Sequence, residues 1–312
     1  MPKFRAAFES RSTAIRWQVP RRKITLTSRQ IDKIPEKEYS DFVRSSLAFG
    51  LLALLGAFLI AAVPRARSNS QSPPTDVVRR PVIVELFTSE GCSSCPPADQ
   101  LLQKLVAQQP IPNAEIIAIE EHVDYWNHDG WIDPFSSAEW TQRQLVYTPQ
   151  TADNGPYTPQ MVVDGRVKFV GSDQSKAVTS IQSASAQLAT DITLAAGNED
   201  KNSREFTITV GKLAGASSGD APEVWLAVTE DGLHSAVTKG ENAGHALSHV
   251  GTLRGMHKIG DIKSGSDTTS YNGHTKLKLD SHWNLANVRV IAFVQERKSR
   301  AILGASSLKL SS

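Results

Sequence analysis

Apolar residues follow three different spacings along this chain. From Leu47 to Val63 they are unbroken, seventeen uncharged residues with no polar face. From Pro81 to about Leu188, short apolar runs alternate with helical periodicity. From Thr190 onward, alternation with period two takes over. The first spacing predicts a helix of about 25 Å, slightly short of a ~30 Å hydrocarbon core. A buried core helix would carry a polar face, so this run reads as a signal peptide or transmembrane anchor. Residues 64–80 are polar and proline-bearing, without periodicity, and read as a linker.

The second spacing sets out a domain over residues 81–189. Pro81-Val-Ile-Val-Glu-Leu-Phe87 suits a buried parallel strand. Ala98, Leu101, Leu102, Leu105 and Val106 then share one helical face, and Ala114-Glu-Ile-Ile-Ala-Ile119 forms a second strand. His122 to Phe135 is aromatic and polar without a period, hence a loop. Ser136 with Glu139 makes a capping box for a helix through Val146. Met161-Val-Val163, Asp164-Gly165 and Arg166 to Val170 read as a β-hairpin, because Asp-Gly between apolar runs is the strongest short hairpin signal. Asp173 caps a last helix with Ala177, Ile181, Ala184 and Leu188 on one face. Over residues 190–312 the strands are at 190–194, 205–210, 224–228, 276–279 and 288–294, separated by polar turns. That pattern predicts a β-sandwich-like all-β domain.

Charge adds a direction. Residues 1–46 hold eleven Lys/Arg against five Asp/Glu, or +6, which leaves −4 for the remainder of a chain of net charge +2. The basic excess keeps the N-terminus in the cytoplasm and sends the body across the membrane, whether the apolar run is cleaved or retained. The expected location is therefore periplasmic or extracellular, with an inner-membrane anchor if the run is kept. A mildly acidic body argues against nucleic acid as a partner.

Both cysteines of the chain lie in Glu85-Leu-Phe-Thr-Ser-Glu-Gly-Cys92-Ser-Ser-Cys95-Pro96-Pro97, between the first strand and first helix. A C-x-x-C pair there can be a redox dithiol, a structural bridge or half of a metal site. A thiolate at a helix N-terminus is stabilised by the dipole and by unpaired N–H groups. Proline favours the first helical position, so Pro96-Pro97 predicts that Cys95, rather than Cys92, caps the helix. Cys92 then gains less from the dipole. The metal alternative joins Cys92 and Cys95 to His122 or His128, a soft set suited to copper or zinc.

The order β-α-β-α-β-β-α, with C-x-x-C opening the first helix, predicts an α/β thioredoxin-like domain. Phe87 to Pro97, His122-Val-Asp-Tyr-Trp126 and Tyr157-Thr-Pro-Gln-Met-Val-Val-Asp-Gly165 together resemble a bacterial exported thioredoxin-like family of unknown function. The resemblance implies that Cys92 is the nucleophile and Cys95 the resolving thiol. It implies that Glu85 is the buried acid beneath the site, although an ordinary strand-end carboxylate is the alternative. Pro159 would be a cis-proline facing the cysteines, a better candidate than Pro149. Thr158, Tyr125 and Trp126 would line a substrate groove, or else pack as loop residues. Partners would be protein thiols and disulfides, plus a redox partner, with no cofactor.

His234, His245, His249 and His257 invite a metal reading, with His245 and His249 at i,i+4. No acidic residue completes a known motif around them, so they read as scattered polar surface. Glu241-Asn242 also resembles a stretch of the same family, with His245 where that family carries a basic residue. No serine-nucleophile motif, phosphate loop or carboxylate pair is present. The expectation is a thiol–disulfide oxidoreductase, with a binding module for copper, zinc or a protein as the alternative.

Overall fold

The computed structural model describes residues 79–148, 155–262 and 271–310. The N-terminal segment, the apolar run at 47–63 and Pro149 lie outside the described residues. Among the described residues no helix is long and apolar enough to cross a membrane.

Strands dominate. The first stretch reads β1 (Arg80–Thr88), α1 (Pro96–Gln108), β2 (Ala114–His122), α2 (Ala138–Tyr147), β3 (Gln160–Val163), β4 (Val167–Val170) and α3 (Gln174–Ser185). Nine further strands follow: β5 (Ile192–Asp200), β6 (Ser203–Val210), β7 (Pro222–Glu230), β8 (Leu233–Ala236), β9 (Ala246–His249), β10 (Thr252–Asp261), β11 (Tyr271–Lys278), β12 (Val288–Glu296) and β13 (Ile302–Lys309). Eight strands form a single mixed sheet in the order β13-β12-β7-β10-β2-β1-β3-β4. A second sheet, β11-β6-β5, and a two-stranded ribbon, β8-β9, complete the set.

This overturns the expected fold class. The protein is not an α/β thioredoxin-like domain followed by a separate β-sandwich. It is mostly β, and its main sheet runs through both halves of the sequence. The physical reason lies at one strand edge. The outer edge of β2 is buried, and an unpaired buried edge leaves backbone groups unsatisfied. Here β10 takes that edge in parallel, with Thr252 opposite Glu120 and the Glu120 N–H donating to Gly251 O at 2.8 Å. Spacing along a chain predicts strands, but not which strand closes which edge.

The two faces of β1 and β2 organise everything near the cysteines. Side chains alternate along a strand. Val82, Val84 and Leu86 of β1, with Ala114, Ile116 and Ala118 of β2, form one core with Ala98, Leu101, Leu102 and Leu105 of α1 and Ala177, Ile181 and Ala184 of α3. Ile83, Ile117 and Ile119 face the other way, against Trp140 of α2 and Ala227, Ile291 and Phe293 of the C-terminal strands.

The Asp164-Gly165 turn joins the two halves. Both residues have positive φ, 46° and 66°, and Arg166 N–H donates to Val163 O at 3.0 Å, as a tight hairpin requires. The buried Asp164 carboxylate accepts from Ile83 N at 2.9 Å and pairs with Arg80 at 2.6 Å, while its carbonyl accepts from Ile302 N at 2.9 Å. A β-carbon on Gly165 would stand 1.9 Å from Arg300 O. The sequence showed a local turn; the structure seats that turn against the loop before β13.

One helix start and one helix end need small corrections. Ser137, not Ser136, caps α2, accepting from Glu139 N at 3.1 Å. Asp173 caps α3, which ends at Ser185, so Leu188 is left outside the helix and exposed.

Candidate functional site

Cys95 is the N-cap of α1, and Pro96 and Pro97 occupy the first two helical positions. Proline carries no N–H. The next two amides, of Ala98 and Asp99, both donate to Cys95 O, at 2.8 and 3.2 Å. The Cys95 side chain therefore receives no cap hydrogen bond, only the field of the helix. Cys92 and Cys95 are joined as a disulfide. Neither has exposed surface, whereas Ser93 and Ser94 between them are exposed.

A turn from the C-terminal half is bonded to the loop that carries the pair. Asn242 is buried, and its Nδ2 donates to Glu90 O at 2.8 Å and Cys92 O at 3.0 Å. Glu241 Oε2 accepts from Ser93 N at 3.0 Å. These two residues were noted in the sequence only as a family likeness.

On the other flank, Trp126 packs against Gly91, where an added β-carbon would stand 3.1 Å from Trp126 Cβ. Trp126 Nε1 donates to Thr158 Oγ1 at 2.7 Å. The Thr158–Pro159 bond is cis. A β-carbon on Gly171 would meet both Ala98 Cβ at 3.0 Å and Pro159 Cβ at 3.2 Å, which places Pro159 beside the first turn of α1. Tyr125 lies further out, its hydroxyl donating to Gln144 Oε1 at 3.1 Å. Burial pushes that hydroxyl up to about 12, so it stays protonated. Cys92, Cys95, Trp126, Thr158 and Pro159 thus surround one region.

Glu85 does not belong to it. By strand alternation it lies on the face opposite α1. There it accepts from Arg143 Nε at 2.7 Å and from the Tyr147 hydroxyl at 2.6 Å. Glu121 joins the same cluster, with Arg143 Nε at 3.2 Å, and Gln295 Nε2 donates to the Tyr147 hydroxyl at 2.8 Å. Burial, reinforced by the neighbouring Glu85, holds the Glu121 carboxyl well above the usual range despite Arg143. The expected role of Glu85 as the acid beneath the cysteines is therefore corrected to that of a buried partner of Arg143.

Another buried carboxyl, Asp99, lies in the first turn of α1, with its backbone N–H on Cys95 O at 3.2 Å. It accepts from Thr88 Oγ1 at 2.7 Å and is raised to about 7, first by burial and then by the charge of Glu120. Sequence reading missed it.

A second group of polar side chains continues the apolar stripe of β2. Ala114, Ile116 and Ala118 face α1, and two residues further along the same face come Glu120 and His122, both without exposed surface. His249, at the end of β9, joins them, 3% exposed. Gly251 makes this approach possible: its φ is +64°, and a β-carbon there would stand 2.7 Å from Ala118 O. His249 Nδ1 lies 3.3 Å and His122 Nε2 3.7 Å from Glu120 Oε2, in neither case with hydrogen-bond geometry. The other ring nitrogens are held by carboxylates. His122 Nδ1 meets Asp133 Oδ2 at 2.7 Å, and His249 Nε2 meets Glu90 Oε1 at 3.1 Å. Burial works against the imidazolium form, but Asp133 raises His122 above its ordinary value and Glu120 raises His249. Glu120 is held below the usual carboxylate range by the two histidines, although burial opposes this.

The copper or zinc set imagined from Cys92, Cys95, His122 and His128 is not assembled. Both sulfurs are in the disulfide, and His128 is a surface residue beside Asp129. The reading of His249 as scattered surface is likewise corrected. The second strand runs on to His122, three residues past the expected end, and Glu120-x-His122 is a same-face signal only on that longer strand; His249 had none, because it arrives from 159 residues beyond Glu90.

A family model described as "Protein of unknown function (DUF1223)" matches residues 83–295. Comparison with curated proteins gives no match. Among solved structures, a protein of Agrobacterium tumefaciens determined by a structural genomics consortium is 26% identical, with a TM-score of 0.51 over 73% of this chain and 93% of that one. HBP35 of Porphyromonas gingivalis is 16% identical, with a TM-score of 0.56 over 75% of this chain and 76% of that one, a likeness of fold alone. A domain of the outer membrane lipoprotein Omp28 from the same organism is 15% identical over 40% of this chain and 89% of that one; its TM-score of 0.26 carries no argument.

Proposed function

Because the chain belongs to the DUF1223 family of proteins of unknown function, we propose its activity from its own site: an exported thiol–disulfide oxidoreductase acting on protein thiols through Cys92 and Cys95. One observation carries this reading. The only two cysteines are joined across the head of α1, with exposed Ser93 and Ser94 between them and Trp126 and Thr158 alongside. Export is supported by the apolar run at 47–63 and the basic excess before it. A persistent disulfide also fits an oxidising compartment.

In its disulfide form the pair accepts two electrons. A partner thiolate attacks Cys92 Sγ, the Cys92–Cys95 bond breaks, and Cys95 leaves as a thiolate that takes up a proton. A second thiol of the partner, losing its proton, attacks the partner's sulfur in the mixed disulfide. The partner departs oxidised and Cys92 is released as a thiol. A second disulfide-bearing protein restores the bridge by the reverse exchange. Departure of Cys95 is favoured by the α1 dipole, worth roughly 0.3–1 kcal/mol. The two prolines withhold the amide donors that would add to this. Both sulfurs are buried, and Asn242 and Glu241 tie the cysteine loop to the 240–244 turn, so lifting of that turn is the proposed route to Cys92.

The complete burial of both sulfurs favours a second reading, an inert structural bridge. A Cys95→Ser variant of the full chain, expressed with its export segment, separates the two. With its resolving thiol gone, Cys92 should accumulate mixed disulfides that collapse on reduction and are missing from the Cys92→Ser/Cys95→Ser double variant. No adducts, together with a wild-type disulfide that resists thiol reagents, would leave the structural bridge.

A further inference from the structure

We propose that Glu120, His122 and His249 form a buried site for one divalent transition-metal ion of the zinc class. Nothing in the thiol chemistry uses these residues, and the proposal stands whether or not Cys92 and Cys95 turn over.

The first argument is distance. A four-coordinate zinc ion with ligand bonds of about 2.0–2.1 Å spaces its donor atoms about 3.3–3.4 Å apart. Glu120 Oε2 lies 3.3 Å from His249 Nδ1 and 3.7 Å from His122 Nε2. One donor atom from each residue lies within 4.8 Å of the other two. The second argument is what these atoms lack. Glu120 Oε1, His122 Nε2 and His249 Nδ1 are all buried without a hydrogen-bond partner. Such atoms are costly unless something satisfies them.

The third argument is the surrounding shell. Metal-bound histidine characteristically gives its other ring N–H to a carboxylate or carbonyl, which fixes the tautomer and aims the free nitrogen. Both histidines here have that partner, Asp133 for His122 and Glu90 for His249. The partners are themselves fixed. Asp133 accepts from Glu90 N at 2.8 Å and Phe135 N at 2.9 Å, and Glu90 accepts from Trp131 Nε1 at 2.9 Å. Thr252 Oγ1 donates to Glu120 Oε2 at 3.3 Å. Phe135 lies edge-to-face with both imidazoles, at 5.4 and 5.6 Å, and walls the site. Two imidazoles and a carboxylate are a donor set that zinc accepts.

The test uses tag-free full-length protein, stripped with a chelator and titrated with Zn²⁺ against a chromogenic competitor. One equivalent should bind. X-ray absorption of the loaded wild type should show nitrogen and oxygen ligands at about 2.0–2.1 Å, two of them imidazoles, and no sulfur near 2.3 Å. The Cys92→Ser/Cys95→Ser double variant should keep its full equivalent, and His249→Gln should lose it. Asp133→Asn, which loosens the support of His122 and of the Glu90 and Phe135 amides without removing a proposed ligand, should weaken binding about 10–100-fold. Absence of zinc binding by the wild type, a sulfur ligand in its spectrum, or loss of the equivalent in the cysteine double variant would overturn the site. If His249→Gln fails to fold, the wild-type spectrum decides. The mixed-disulfide experiment is untouched by any of these results, so the two ideas fail separately.

Discussion

Asn242→Ala should unlatch the cysteine loop. The side chain makes two buried hydrogen bonds, to Glu90 O and Cys92 O. Each is worth about 1 kcal/mol net, with a penalty for any carbonyl left dry. Cys92 O keeps a second partner, Cys95 N at 3.2 Å, so the penalty there is small. The loss sums to about 2 kcal/mol, and every 1.4 kcal/mol is tenfold in an equilibrium. If the turn must lift before a reductant reaches the buried sulfurs, reduction of the disulfide should speed up roughly 10–30-fold. The assay is a time course with excess dithiothreitol, quenched by alkylation and read by mass. Thermal unfolding of the variant, followed in parallel, shows how much of the change is global. A reduction rate equal to wild type in a variant whose stability has fallen would refute the latch, and with it the idea that the 240–244 turn controls access.

Three further predictions probe the frame of the site. Arg143→Met leaves Glu85 and Glu121 buried without their counter-charge and should cost about 3–5 kcal/mol in chemical denaturation; adding Glu85→Gln should recover part of it, and no recovery would mean that Glu85 is not the group strained. Gly165→Ala forces a side chain into a position of φ +66° and onto Arg300 O, so it should cost at least about 2 kcal/mol; a loss below about 0.5 kcal/mol, within the range of a surface change, would show that the hairpin does not seat against the other half. Asp99 has a folded value of about 7, above its ordinary 3.8, so its proton favours the folded state. The stabilisation is complete at low pH and is lost as pH rises from about 4 to 7. In chelated protein, the melting temperature of Asp99→Asn relative to wild type should therefore climb over that interval and level off above it, whereas a flat difference would mean that Asp99 titrates normally.

Much of the local structure could be read from the residues. Period-two apolar runs located β6, β7 and β12, Asp164-Gly165 located a turn, and Pro96-Pro97 pointed to Cys95 as the cap. What escaped was everything decided by partners distant in sequence. The alternation along β1 already put Glu85 and Leu86 on opposite faces, but only the packing of α1 against the Leu86 face separates Glu85 from the cysteines. Glu120 and His122 lie beyond the strand expected at 114–119, with His122 placed in a loop, and their third member depends on Gly251 allowing a close approach to Ala118. Thr252 pairs with Glu120 across a parallel edge that no hairpin announces. That single pairing is what makes one sheet of two expected domains.

The sheet order also fixes a sequence of events during synthesis. The strands β1 to β4 leave the ribosome long before β10, and until residue 252 is made the edge of β2 has no neighbour. An open, apolar strand edge is an invitation to aggregate. Glu120 and His122 wait at that same edge, without His249. A chain that exposes this edge early therefore gains by being held unfolded until it is complete. Its buried polar cluster can assemble only once residues 249 to 252 have been added, long after Glu120 and His122.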